Sequence, residues 1–140
     1  MPDVLIVSDA ASVRAEVKAV LEDPDTTIRE LTRGASVLAA VHERLPDLAV
    51  IDLQIGKMGG MATTHDLHLE EGAGRVGHVP VLMLLDRRAD VFLAKRAFAE
   101  GWIVKPLDSM RLSRAISTVL AGGTYHDRAY QPPTVLPAAQ

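Results

Sequence analysis

Asp9, Asp52, Asp86 and Lys105 each stand at the end of a short apolar run: VLIV, LAVI, VPVLMLL and WIV. Asp52 is the sharpest case, because it closes a run that should be buried. A buried carboxylate without a partner costs several kcal/mol or takes up a proton. If Asp9 approaches it from a neighbouring strand, the two carboxylates repel each other unless a cation or a proton lies between them. Magnesium is the natural cation for a few protein oxygens plus water. Lys105 could then offer positive charge to an anion held at Asp52. Such a set suits phosphoryl transfer to a carboxylate. The carboxylate attacks, metal and lysine hold the transferred oxygens, and positioning supplies most of the catalysis. The same residues also suit an ion-pair network that merely tolerates both aspartates, and periodicity alone leaves the two readings open. No glycine-rich phosphate loop sharpens the choice.

The elements that must position these side chains follow from pattern. Val4–Val7 is a short, branched, uninterrupted run, as expected of a strand buried on both faces. Ser12 opens a helix carrying Val13, Val17, Val20 and Leu21 near the 3.6 period, and Asp23-Pro24-Asp25 ends it. Thr26–Leu31 is a second strand, more polar and so nearer an edge. Ser36 caps a helix with Val37, Leu38, Val41 and Leu45, which Pro46 stops. Leu48–Leu53 is a third strand, and a third helix runs from Met61 to Glu71. The glycine-rich stretch from Gly72 to His78 reads as a mobile loop. Val79–Leu85 is a fourth strand. A short helix opens at or near Asp90, a fifth strand spans Trp102–Val104, and Asp108 or Ser109 caps a last helix.

Strands that alternate with helices in short βαβ units pair in parallel, with right-handed crossovers and helices on both faces. The expected class is α/β, a flavodoxin-like, doubly wound sheet of five strands. Its functional crevice lies beyond the carboxyl ends of the strands. Asp9, Asp52, Leu85-Asp86 and Lys105 all fall there.

A chain of 140 residues with 48% apolar and 24% charged residues can fill one packed domain. Residues 1–121 carry the pattern; residues 122–140 hold two glycines, three prolines and little periodicity, and read as an unstructured tail in which Tyr125 or Tyr130 could contact a partner. A net charge of -3 gives no global pull toward nucleic acid or anionic membrane. The absence of cysteine excludes disulfides, thiolate nucleophiles and cysteine-ligated zinc. MPDVLIVSD is neither a signal peptide nor an anchor, and no apolar run approaches the roughly 20 residues of a membrane helix. The expected location is cytoplasmic.

The motifs VLIVSDA (Val4–Ala10), IDLQIGKMGG (Ile51–Gly60), PVLMLL (Pro80–Leu85) and WIVKP (Trp102–Pro106), in this order and spacing, resemble the receiver domain of bacterial two-component response regulators. The resemblance covers about residues 3–121. It implies strand order 2-1-3-4-5, Asp52 as phosphoacceptor, and magnesium held by Asp9, Asp52 and the carbonyl of Gln54. It further implies that Lys105 pairs with the acceptor or its phosphoryl group, that Lys105-Pro106 is a cis peptide, and that Trp102 is a switch aromatic.

The departures are equally specific. Ser8 replaces the first member of the acidic pair and supplies no charge, so magnesium affinity should fall. Leu85 stands where the family carries a switch hydroxyl, and Asp86 where it prefers a small residue. A carboxylate there would repel an approaching phosphoanion. Gly56 replaces a common proline. The expectation is a stand-alone, atypical regulator with no second domain after residue 121, acting through a kinase or phosphotransfer protein, a downstream protein target or a second copy. Direct nucleic-acid or membrane contact is not expected. The alternative is a phosphate-independent pseudo-receiver that serves as an adapter. His42, His65, His68 and His78 read as surface histidines rather than as a zinc site or a relay. Arg87 and Arg88 read as solvated turn residues, and Arg96, Arg111 and Arg114 as an interface face.

Overall fold

The computed structural model describes residues 2–56 and 59–128. Their elements run β1 Asp3–Val7, α1 Ala11–Val20, β2 Thr27–Leu31, α2 Val37–Glu43, β3 Leu48–Asp52, α3 Gly60–Gly72, β4 Val81–Leu85, α4 Val91–Arg96, β5 Gly101–Val104, α5 Ser109–Leu120 and β6 Tyr125–His126. The strands form one parallel sheet in the order β2-β1-β3-β4-β5-β6. No helix among the described residues is long and apolar enough to cross a membrane.

Successive strand residues point to opposite faces. Val4, Ile6, Val50, Leu82 and Ile103 pack with Val13 and Val17 of α1 and Leu112, Ile116 and Val119 of α5. Leu5, Val7, Ala49, Ile51 and Val81 pack with Val37 and Val41 of α2 and Leu67 of α3. A third group joins Met83, Leu85, Trp102 and Val104 to Ala94 and Ala97 around α4. Every residue of β1, β3, β4 and β5 is buried, which is why these strands read as unbroken apolar runs. The more polar β2 is the edge strand expected of it.

The sheet has six strands where the sequence reads five. The sixth lies in the segment read as tail and pairs with β5 through Gly101↔Tyr125 and Trp102↔His126. A two-residue strand has no period to read, so tertiary contact alone fixes it. Gly122, at φ +91°, turns the chain after α5 and lets Tyr125 pack on the core. Tyr130 lies outside the described residues. Asp108 caps α5 by accepting from the Arg111 N–H at 2.9 Å. Ser36 makes no capping hydrogen bond; it belongs to a short 3₁₀ turn, Gly34–Ser36, ahead of α2. The stretch after α3 is held at its far end by His78, which bridges Glu71 and Glu100.

α3 begins against the end of β3. A Cβ on Gly60 would lie 2.5 Å from the Asp52 carbonyl oxygen and 2.8 Å from the Leu53 Cα, both backbone atoms. A Cβ on Gly72 would meet nothing within 4 Å. Gly60→Ala should therefore destabilise the fold by about 1–3 kcal/mol through overpacking. Gly72→Ala should stabilise it by up to about 1 kcal/mol through the lost freedom of the unfolded chain. Urea denaturation of the two variants checks the opposite signs.

Candidate functional site

β1 and β3 are neighbours, and their register sets Val7 beside Ile51. The next residues, Ser8 and Asp52, therefore face each other at the strand ends. Asp52 is 2% exposed. Its Oδ2 accepts from the Ser8 hydroxyl at 2.8 Å, and its Oδ1 accepts from Lys105 Nζ at 2.9 Å. The Gln54 N–H lies 3.4 Å from the same Oδ1. Ser8 is itself fully buried, and its oxygen accepts from the Ala10 N–H at 3.1 Å. The serine at the expected pocket position is thus a hydrogen-bond donor to the aspartate.

Lys105 follows β5 and reaches across the end of β4 to Asp52. Its backbone N–H donates to the Leu85 carbonyl at 2.8 Å, and its peptide bond to Pro106 is cis, as the motif implies. Nζ also donates to Asp86 Oδ1 at 2.9 Å. Burial pulls the ammonium down, but the hydrogen bonds to Asp52 and Asp86 more than reverse this, and its pKa ends above the ordinary lysine value. Lys105 therefore carries its full charge at neutral pH, divided between Asp52 and Asp86. Asp86 does not stand alone beside the pocket as an unpaired repulsive charge.

Asp9 is exposed, and its Oδ2 accepts from the Gly56 N–H at 2.9 Å. The carboxylate thereby ties the end of β1 to the loop after β3. Asp9 and Asp52 carry carboxylate oxygens, the donor type that magnesium prefers. Both carboxylates already have partners inside the protein, with which any cation would compete. Among the described residues there is no group of three His, Cys, Asp or Glu side chains placed to hold a metal ion. Ser8 stands where the resemblance expects a further carboxylate, so the pocket offers one acidic side chain fewer to a cation.

The fold, the buried aspartate and the lysine that reaches it are accompanied by a direct likeness. A model of the response regulator receiver domain matches residues 4–117. The chain belongs to the response regulator receiver domain family. It is 26% identical over 124 residues to Protein PilH of Pseudomonas aeruginosa, covering 87% of this chain and all of PilH. It is 30% identical over 111 residues to the DNA-binding response regulator MtrA of Mycobacterium tuberculosis, covering 78% of this chain but 46% of MtrA. It spans 59% of the nitrate/nitrite response regulator NarL of Escherichia coli, at 26% identity. Among solved structures, the chemotaxis response regulator CheY4 of Vibrio cholerae superposes with a TM-score of 0.74 at 25% identity, covering 85% of this chain and 98% of that one. A LuxR-family response regulator from Aurantimonas sp. SI85-9A1 gives 0.77 at 25% identity, with 89% of each chain covered.

In this receiver the expected switch positions are packed inward. Leu85 is fully buried in the cluster around α4 and presents no hydrogen-bonding group. Trp102 is 4% exposed; the His126 ring stacks on it at 4.2 Å and 6°, and Lys95 Nζ lies 5.9 Å from its centroid. The arginines read as an interface do not behave alike. Arg111 turns inward to Asp108, Asp127, Val104 and Pro106, and sequence reasoning missed this network entirely. The sequence offered only a lone acid, Asp127, in a segment without period. Arg87, read as a solvated turn residue, is exposed but donates to the buried Asp90.

The histidines lie away from the site. His42 meets Glu70, and His78 meets Glu71 and Glu100 at 2.8 and 2.5 Å. Partial burial lowers the His78 pKa, and the hydrogen bonds to those carboxylates more than offset this, so it ends above the usual 6.5. The stability His78 contributes is thus fully present below pH 6.5 and is lost as pH rises through its folded pKa. Wild-type stability should fall relative to His78→Gln across this range, and thermal melts from pH 5.5 to 8.5 measure it. At the site itself, Lys105→Met strands the buried Asp52 charge and should cost several kcal/mol, whereas in an Asp52→Asn background the same change should cost much less. A double-mutant cycle in urea reads the difference.

Proposed function

We propose that this receiver takes a phosphoryl group on Asp52 from the phosphohistidine of a sensor kinase or phosphotransfer protein, and passes the signal on by protein contact. The observation that carries this reading is the lysine on the aspartate: Lys105 holds one oxygen of Asp52 and Ser8 the other. An Asp52 oxygen attacks phosphorus, the bond from phosphorus to the imidazole nitrogen breaks, and that nitrogen keeps the electron pair and takes up a proton. Lys105 stays within reach of the oxygens transferred. When bound at Asp9, Asp52 and the Gln54 carbonyl, magnesium supplies further positive charge toward those oxygens. Water later cleaves the acyl phosphate in the same pocket. Full coverage of PilH fits a receiver whose output is contact with a separate protein or a second copy.

A second reading is favoured by one observation. Both Asp52 oxygens already have protein partners, and Leu85 offers no hydroxyl to a phosphoryl group. On that reading the domain is an adapter that holds its partner whatever the state of Asp52.

Intact mass after incubation with acetyl phosphate and magnesium separates the two. The expected result is a magnesium-dependent phosphoryl adduct on the wild type and none on Asp52→Asn. Ser8→Asp restores the third carboxylate and should lower the magnesium concentration for half-maximal labelling several-fold. No adduct, with a control receiver labelled in the same tube and a silent magnesium titration, favours the adapter.

A further inference from the structure

Lys105 reaches Asp52 on a flexible four-carbon stem, so the reach depends on where its backbone sits. The backbone polar groups of the residues on either side of it, Val104 and Pro106, are held by one ion pair. Asp127, just past β6, accepts from the Val104 N–H at 2.9 Å with Oδ2. The same oxygen accepts from Arg111 Nη1. Arg111 Nη1 also donates to the Val104 carbonyl at 3.2 Å, and Nη2 donates to the Pro106 carbonyl. The Asp127 side chain is 2% exposed and that of Arg111 15%. Arg111 is anchored in turn by Asp108, the capping residue of α5. Val104 and Pro106 flank Lys105, and the pair grips both. The planar guanidinium fork, with its fixed donors, is suited to spanning two carbonyls and a carboxylate at once, which a lysine cannot do.

Asp127 lies beyond residues 4–117, the span of the family match. Two more contacts seat the strap that carries it: the β5–β6 pairing and the His126 ring on Trp102. Without Asp127, the Val104 N–H at the end of β5 would be a buried donor in need of a partner.

We propose that Asp127 and Arg111 are positioning residues for Lys105: the strap after α5 sets the backbone of the 104–106 turn and thereby places the ammonium on Asp52. This rests on the reading of Asp52 as phosphoacceptor. Removal of the clamp leaves every group in the pocket present but lets the lysine wander. A misplacement of about 1 Å in a positioning group can cost on the order of a hundredfold in rate. Because Leu85 and Asp86 still hold Lys105 in part, the expected loss is nearer tenfold, as an order of magnitude.

The test uses the full chain with Asp127→Asn and Arg111→Lys, and two readouts. The first is amide hydrogen exchange at Val104 and Lys105, with Leu5 and Val50 as internal references in β1 and β3. The second is the rate of Asp52 labelling by acetyl phosphate, in the wild-type and Lys105→Ala backgrounds. Both variants should speed exchange at Val104 and Lys105 about tenfold while the references hold still, as a local loosening requires. Labelling should slow about tenfold, and that slowing should vanish once Lys105 is alanine. Unchanged exchange at Lys105, or a slowing that persists without the lysine, overturns the proposal. If Asp127→Asn also quickens the references, Arg111→Lys decides, because it keeps the charge opposite Asp127 and removes only the fork. If the wild type is never labelled, the phosphoacceptor reading has failed, and the exchange arm alone judges the clamp.

Discussion

Asp52 places a carboxylate at the end of a parallel strand, 2% exposed, with neighbouring strands on both sides. Such a charge survives only if a cation and hydrogen-bond donors reach it. Helices cover both faces of the sheet, so help can come only from the open ends of the strands. Ser8 comes from β1, next door, and Lys105 from β5, two strands away. The lysine can cross because β4 ends at Leu85 and the chain turns away. Strand lengths, strand order and the turn after β5 thus all answer to one buried charge.

The same lysine serves a second master. Its bond to Asp86 matches its bond to Asp52 in length, yet the two carboxylates sit in different surroundings. Asp86 is 39% exposed and draws part of its solvation from water, so its hold on the lysine is screened. Asp52 has no such recourse. The unequal dielectric makes Lys105 primarily the partner of Asp52, with Asp86 limiting how far the ammonium strays on the solvent side. Ser8 completes the arrangement from the other flank. A carboxylate there would put a second negative charge beside Asp52, whereas the hydroxyl donates a hydrogen bond to it. The substitution therefore stabilises the metal-free pocket through the same contact by which it weakens the case for a cation.

Most of the fold was legible because buried parallel strands advertise themselves. VLIV, LAVI and VLMLL are apolar on both faces, and an acid or lysine at the end of such a run stands out as a charge that needs a partner. Asp9, Asp52, Asp86 and Lys105 were readable for that reason. What escaped was set by contact rather than pattern. β6 is two residues long and carries no period. Asp127 is a lone acid in a glycine- and proline-rich stretch, and its partner Arg111 looks from sequence like any helix-surface arginine. Ser36 looked like a helix cap, yet the chain enters α2 through a 3₁₀ turn in which its hydroxyl caps nothing.

The packing around α4 also bears on how a change at Asp52 could travel. Leu85 is locked in an apolar cluster with Met83, Val104 and Ala94, and moving it would open a cavity. Trp102 lies in that cluster under the ring of His126. Leu85 has no polar group with which to answer charge at the strand ends, whereas the Trp102 indole keeps one N–H donor. The element that does respond to charge is Lys105. On the proposed phosphorylation of Asp52, a more negative group there would draw the ammonium from Asp86 and leave Asp86 facing solvent with its charge uncompensated. That residue stands at the entrance to α4, a few residues before the buried Asp90 and its partner Arg87. On the reading of Asp52 as phosphoacceptor, Lys105 is therefore the pocket group whose charge would redistribute toward the surface, beside the packed side chains of Leu85 and Trp102.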